Sequence, residues 1–82
     1  MVKIEYTNNF KKNFSKIRDK EFKKRIVNQI EKIIDNPNIG KPMRNIRKGT
    51  REVYISPYRL AYNYNEKEII LIFIEIYPES KQ

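Results

Sequence analysis

The 82 residues read as an α+β domain of order βααβββ, a helical hairpin packed on one face of a small, mostly antiparallel sheet. Three observations carry that reading. The hydrophobic period is 3.6 from Phe10 to Ile34 and changes to 2 from Val53 onward. Both helical stripes are apolar on one side only, so they need an apolar wall, and the strand-rich half supplies it. The last apolar segment, EIILIFIEIY, fills both parities, which predicts a strand with neighbours on either side, central in the sheet. A chain of this size holds one domain, residues 1–82, near the lower limit for a single hydrophobic core.

The elements follow in order. Val2, Ile4 and Tyr6 alternate with polar residues in a short first strand. Thr7 or Asn8 caps a helix striped by Phe10, Phe14 and Ile17, with Lys11, Lys12, Lys16 and Arg18 off the stripe. Asp19 caps a second helix striped by Phe22, Ile26, Ile30, Ile33 and Ile34. That helix stops near Asn36, because Pro37 cannot donate to the ladder and restricts the residue before it. The short gap between the two predicts an antiparallel αα-hairpin. Gly40 and Pro42 punctuate, and MRNIRK, Met43 to Lys48, is a weak basic strand or a loop. REVYIS, a Ser56-Pro57 turn, YRLAYNYN, a turn at Asn65-Glu66-Lys67 and the isoleucine-rich strand complete the chain.

Composition narrows the chemistry. Without cysteine or histidine there is no disulfide, no thiolate metal site and no imidazole base, and neither a metal nor a cofactor is expected. The missing cysteines fit a reducing cytoplasm. No apolar signal segment opens the chain, and the longest apolar run, Ile69 to Ile74, is too short to cross a bilayer. The expected location is therefore cytoplasmic, with no membrane partner. The net charge of +8 is uneven: residues 1–50 hold 14 Lys/Arg against 5 Asp/Glu, and residues 51–82 hold 4 against 5. Such a field draws polyanions, among them nucleic acid and acidic proteins. The plainer alternative is a lysine-rich surface with no ligand.

RNA can be cut without metal when its 2′-OH attacks the adjacent phosphate. One group must take the proton, another must stabilise the phosphorane and a third must protonate the leaving oxygen. Without histidine, a cluster of Lys, Arg and Tyr is the available solution. An arginine fork matches phosphate oxygens, and a lysine or tyrosine among several cations has a lowered pKa and exchanges a proton. Arg59 has the opposite parity to Tyr58, Leu60, Tyr62 and Tyr64, so it lies on the open face of the sheet if that row packs under the helices. The alternative is a surface arginine paired with Glu52 or Glu75. Lys41, Arg44, Arg47, Lys48 and Arg51 form a basic run ahead of that strand, either a phosphate cradle or a solvated loop; Lys48 and Arg51 are nearest the strands. Tyr77 ends the last strand with the parity of Leu71, Phe73 and Glu75, placed to stack on a base, to transfer a proton or simply to end a strand.

The βααβββ order, the basic stretch KPMRNIRKGTREVYI, the segment YRLAY and the isoleucine-rich last strand together resemble the RelE/ParE toxin superfamily, with archaeal and bacterial RelE-type mRNA interferases nearest. The resemblance spans nearly the whole chain. It implies a RelE-like fold and the toxin of a type II toxin–antitoxin pair, held inactive by a cognate acidic antitoxin. RelE-type members cleave mRNA in the ribosomal A site, whereas ParE-type members act on DNA gyrase. For this chain the resemblance implies a ribosome-dependent mRNA endoribonuclease; the alternatives are a non-enzymatic gyrase-directed toxin and a degenerate RNA-binding relative. Arg59 matches the arginine of the family's YR segment, a phosphate-binding catalytic residue. Arg51, Lys48 and Tyr77 complete the candidate catalytic set, and Lys41, Arg44 and Arg47 are the candidate RNA-binding residues. The chain departs from the RelE pattern at its end, YPESKQ, where Pro78 or Glu79 stands in place of a second arginine and the nearest cation is Lys81. It departs again at Glu52 and Tyr54, where some members carry lysines.

Overall fold

In the computed structural model, which describes residues 2–79, the elements are β1 (Lys3–Tyr6), α1 (Asn8–Lys16), α2 (Lys20–Asp35), β2 (Lys41–Pro42), β3 (Thr50–Ile55), β4 (Tyr58–Asn65) and β5 (Ile70–Pro78). The five strands form one sheet in the order β1-β5-β4-β3-β2. Only β1 and β5 are parallel; the other pairs are antiparallel. The expected α+β architecture is therefore present, with one addition. Lys41 and Pro42 pair with Glu52 and Arg51 as a two-residue edge strand, and residues 43–49 form a loop.

Local chemistry sets the boundaries. The Thr7 hydroxyl accepts from the Phe10 N–H at 3.0 Å, and Asp19 Oδ1 accepts from the N–H groups of Glu21 (2.9 Å) and Phe22 (3.3 Å), so both helices start on side-chain caps. α2 ends at Asp35, two residues before Pro37. Ser56 and Pro57 make a two-residue turn that sets Ile55 opposite Tyr58. After β4, Asn65 Oδ1 accepts from the N–H groups of Lys67 and Glu68 and shapes the next turn.

The core lies between the helices and one face of the sheet. Phe10 of α1 and Phe22, Ile26, Ile30 and Ile33 of α2 meet Ile55, Leu60, Tyr62, Leu71, Phe73 and Ile76. Ile26 and Ile33 are fully buried, each worth about 1.5–3 kcal/mol of transfer free energy. The tyrosine–leucine row of β4 does pack under the helices, with Tyr58 and Tyr64 half-buried at its ends. Each helix leans on the sheet more than on the other helix, α1 against β5 and α2 against β3. The opposite face of β5 carries Ile70, Ile72 and Ile74, which are only half-buried. The segment is central in the sheet, as its composition requires, but just one of its faces is fully covered.

Tyr62 ties the α2–β2 connection to this core. Its hydroxyl donates to the Pro37 carbonyl at 2.7 Å and accepts from the Gly40 N–H at 2.9 Å. A Cβ on Gly40 would lie 2.5 Å from that hydroxyl oxygen, so the close approach requires glycine.

One irregularity repositions the end of β5. Ala61 pairs with Glu75 while Tyr62 pairs with Phe73, which leaves Ile74 as a bulge. Beyond the Tyr6–Phe73 pair, β1 no longer accompanies β5, and α1 and its N-cap supply side chains in its place. The Thr7 hydroxyl donates to the Ile74 carbonyl, and Asn13 Oδ1 accepts from the Ile76 N–H at 2.9 Å. Backbone groups that a bulge would otherwise orphan are thereby satisfied. The bulge reverses the parity of everything after it: Ile76 joins Leu71 and Phe73 in the core, and Tyr77 turns to the other face. The shared parity of Tyr77 with Leu71 and Phe73, expected from an uninterrupted strand, is thus corrected.

Candidate functional site

On the face opposite the helices, Arg59 stands between two strands, opposite Tyr54 of β3 and Tyr77 of β5. Its fork is filled from within. Nη1 donates to Glu52 Oε1 at 2.6 Å, and Nη2 donates to Glu79 Oε2 at 3.2 Å. The second carboxylate oxygen of Glu52 accepts from the Tyr77 hydroxyl. The guanidinium also lies over the Tyr54 ring, 5.5 Å from its centroid, within cation–π range. Arg59 Nε is out of contact with solvent and has no hydrogen-bond partner among the described residues. These side chains are partly shielded, Arg59 being 27% and Glu52 14% exposed, so water screens the cluster incompletely.

The charges act on one another. The hydrogen bond to Glu79 is the main influence on Arg59; with the nearby charges of Glu52 and Glu79 it outweighs desolvation and raises the guanidinium above its ordinary pKa. Tyr77 is pushed up to about 12, first by burial and then by the hydrogen bond and negative charge of Glu52, which outweigh Arg59. This corrects the expectation of a tyrosine made acidic by surrounding cations: Tyr77 is held as a proton donor. Tyr62 is raised as well, chiefly by burial.

The other candidates divide between the two faces and the loop. Arg51 has the parity of Tyr62 and points to the helix side. Its Nη1 donates to the carbonyls of Asn38 (3.1 Å) and Gly40 (2.7 Å), so it braces the α2–β2 connection. Lys41, Arg44, Arg47 and Lys48 are exposed and form no ion pair among the described residues. Lys41 lies in β2 opposite Glu52, whereas the loop that carries Arg44, Arg47 and Lys48 joins β3 at Thr50, four residues along the strand from Tyr54 and Arg59, roughly 13 Å at ordinary strand rise. Arg59 and Tyr77 are thus brought together, while Arg51 and Lys48 stand apart from them. Lys81 lies outside the described residues.

Glu79 is the partner that reading the strands alone does not supply. Glu75, the acid within β5, pairs with Ala61 beyond the bulge and accepts from Asn9 at 3.1 Å. The Glu79 N–H donates to the Pro57 carbonyl at 2.9 Å, continuing the ladder past β5 and drawing its carboxylate back to Arg59. The sequence signal for it is an acid two residues beyond a strand-end tyrosine. Its partner lies twenty residues upstream, visible only once the strands are paired. Among the described residues no group of three or more His, Cys, Asp or Glu side chains could hold a metal ion.

A family model described as the ParE toxin of type II toxin–antitoxin system, parDE, matches residues 4–82. No curated protein matches the chain in sequence. Several solved structures share the fold. A chain of the intact Escherichia coli RelBE toxin–antitoxin complex superposes with a TM-score of 0.82 at 15% identity, covering 95% of this chain and 96% of that one. The archaeal RelE–RelB complex from Pyrococcus horikoshii gives 0.79 at 13% identity over 99% and 98%. The YoeB/ParE toxin from Agrobacterium tumefaciens gives 0.81 at 17% over 94% and 98%. Identities this low speak to the fold, and the family follows from the sequence match along almost the full length. With the two-helix, five-strand architecture in agreement, this chain belongs to the ParE toxin family, within the RelE/ParE superfamily of type II toxin–antitoxin toxins.

Proposed function

We propose that this toxin arrests translation by cleaving ribosome-bound mRNA in the cytoplasm, without metal, and that a small acidic antitoxin restrains it. The observation that supports this most is the cross-strand pair Arg59–Tyr77 on the face opposite the helices, with Glu52 hydrogen-bonded to both. The parts divide the reaction. Glu52 takes the proton of the 2′-OH as its oxygen attacks phosphorus. Arg59 stabilises the charge that builds on the phosphorane oxygens. As the bond from phosphorus to the 5′-oxygen breaks, Tyr77 protonates that oxygen, and the proton on Glu52 returns to Tyr77 through their hydrogen bond. The products are a 2′,3′-cyclic phosphate and a 5′-hydroxyl. Glu79 occupies Nη2, so the scissile phosphate must displace it. Lys48 and Arg51, further off, act on the rest of the RNA or on the loop that holds it, and Lys41, Arg44 and Arg47 meet phosphates of mRNA or ribosomal RNA. The antitoxin is inferred from the chain's excess positive charge and from solved RelE–RelB complexes of the same fold.

A second reading has its own observation. One arginine held by two carboxylates attracts phosphate weakly, and that favours a ParE-type toxin that binds a gyrase-like protein without cutting RNA. Primer extension on a translated message, run beside a DNA supercoiling assay, decides between them. Cleavage that tracks growth arrest supports the first reading; arrest with intact message and inhibited supercoiling replaces it with the second.

A further inference from the structure

A groove of about 610 Å³ opens at the far end of the sheet from Arg59, between the basic loop and the β4–β5 turn. Arg47, Lys48 and Arg51 line it together with Lys67 of the β4–β5 turn, and the half-buried Tyr64 is part of its wall. Glu66 is the acid among its lining residues. Arg47, Lys48 and Lys67 are exposed and form no ion pair among the described residues. The loop that presents two of them is fixed rather than merely solvated. Asn63, 3% exposed, donates to the Lys48 carbonyl at 3.2 Å and to Thr50 Oγ1 at 3.0 Å. The Arg47 carbonyl accepts from the Thr50 N–H at 3.1 Å, and the Gly49 carbonyl accepts from the Tyr64 N–H at 3.0 Å. Gly49 itself has φ +92°, and a Cβ there would lie 2.7 Å from the Tyr64 carbonyl oxygen.

We propose that this groove binds the phosphodiester backbone of single-stranded RNA, with Arg47, Lys48 and Lys67 as the phosphate contacts. The volume suits a nucleotide-sized ligand. Cations from two separate loops that line one groove match a chain with charge at regular intervals better than a single anion. Carbonyls anchored to β3 and β4 hold the backbone of Arg47 and Lys48 in place before the ligand arrives, so less ordering is required on binding. The lining residues Thr50 and Asn63 share the face of Arg59 and lie roughly 13 Å along the strands from it at ordinary strand rise, so RNA that leaves the groove on that side runs toward the cluster. The proposal rests on the translation-directed reading, and it adds Lys67 and a site separate from the Arg59 cluster.

The test uses the full chain and a fluorescein-labelled single-stranded RNA octamer of uridines, titrated by anisotropy at several salt concentrations. Lys67→Gln and Arg47→Gln are each expected to flatten the slope of log K against log salt by about 0.7 and to weaken binding about fivefold at 0.1 M salt. Lys24→Gln, on the exposed side of α2, removes the same charge and is expected to leave the slope unchanged. Equal weakening by Lys24→Gln and Lys67→Gln overturns the proposal, since only the overall field is then at work. A parent protein that does not bind the octamer overturns it too. If Lys67→Gln and Arg47→Gln bind RNA as the parent does while the parent cleaves translated message, the groove is wrong and the functional reading stands. If binding depends on these residues and no message is cut, the groove stands and the cleavage reading falls.

Discussion

Arg59 sits where one positive charge faces two negative ones, so its availability depends on which carboxylate yields. Under the cleavage reading, Arg59→Ala is expected to reduce message cleavage on the order of a hundredfold or more while circular dichroism stays near the parent's. Arg59→Lys recovers only part of the rate, because an ammonium cannot reproduce the fork. Cleavage equal to the parent's would remove Arg59 from the site. Glu79→Gln takes away a negative charge and leaves a weaker partner for Nη2, so faster cleavage is expected; a slower variant would mean that Glu79 positions Arg59 instead of occupying it. Tyr77 supplies a third test. Its folded-state pKa of about 12 lies above the ordinary 10, so the protonated form is favoured by folding. That contribution is complete below pH 10 and lost as pH rises through 12. The difference in phenolate absorbance between the parent and Tyr77→Phe should titrate near 12, and Glu52→Gln should move it down. A difference curve centred at 10 would contradict the hydrogen bond to Glu52.

At the level of elements, the site depends on a helix that never touches Arg59. Thr7, the N-cap of α1, and Asn13 within the helix support the bulge, and the bulge turns Tyr77 toward Glu52. α2 contributes the larger apolar stripe. Ile30→Asp places a carboxylate within it and is expected to unfold the domain, as read by a thermal melt. Gly40→Ala forces a Cβ against the Tyr62 hydroxyl and should cost about 1–3 kcal/mol in the same experiment. A melt unchanged from the parent for Ile30→Asp would place that residue off the buried face.

For the molecule as a whole, charge and fold are distributed differently. Residues 1–50 carry most of the positive charge, on both helices and the basic loop, while the residues beyond 50 include both acids that occupy Arg59, Glu52 in β3 and Glu79 just past β5. No helix among the described residues is long and apolar enough to cross a membrane. The complex with an acidic antitoxin is expected to weaken as salt rises yet to persist in part, because apolar contacts survive screening. Isothermal titration from low to high salt measures this; affinity indifferent to salt would count against an electrostatic partner.

Periodicity was sufficient for the helices, their caps, the core stripe and the position of the isoleucine-rich strand, because side-chain direction repeats regularly along uninterrupted elements. It also put Arg59 on the face away from the helices, since β4 carries no irregularity before its end. It could not place Tyr77, because a single unpaired residue at Ile74 reverses every side chain after it. That bulge is satisfied by Thr7 and Asn13, more than sixty residues away in sequence. Nor could it separate Arg51 from Arg59, or find Glu79 beside it, because those relations depend on strand pairing and on chain beyond the strand end. Local pattern determines which residues can share a face; only long-range pairing determines which carboxylates reach the arginine and whether its charge is free.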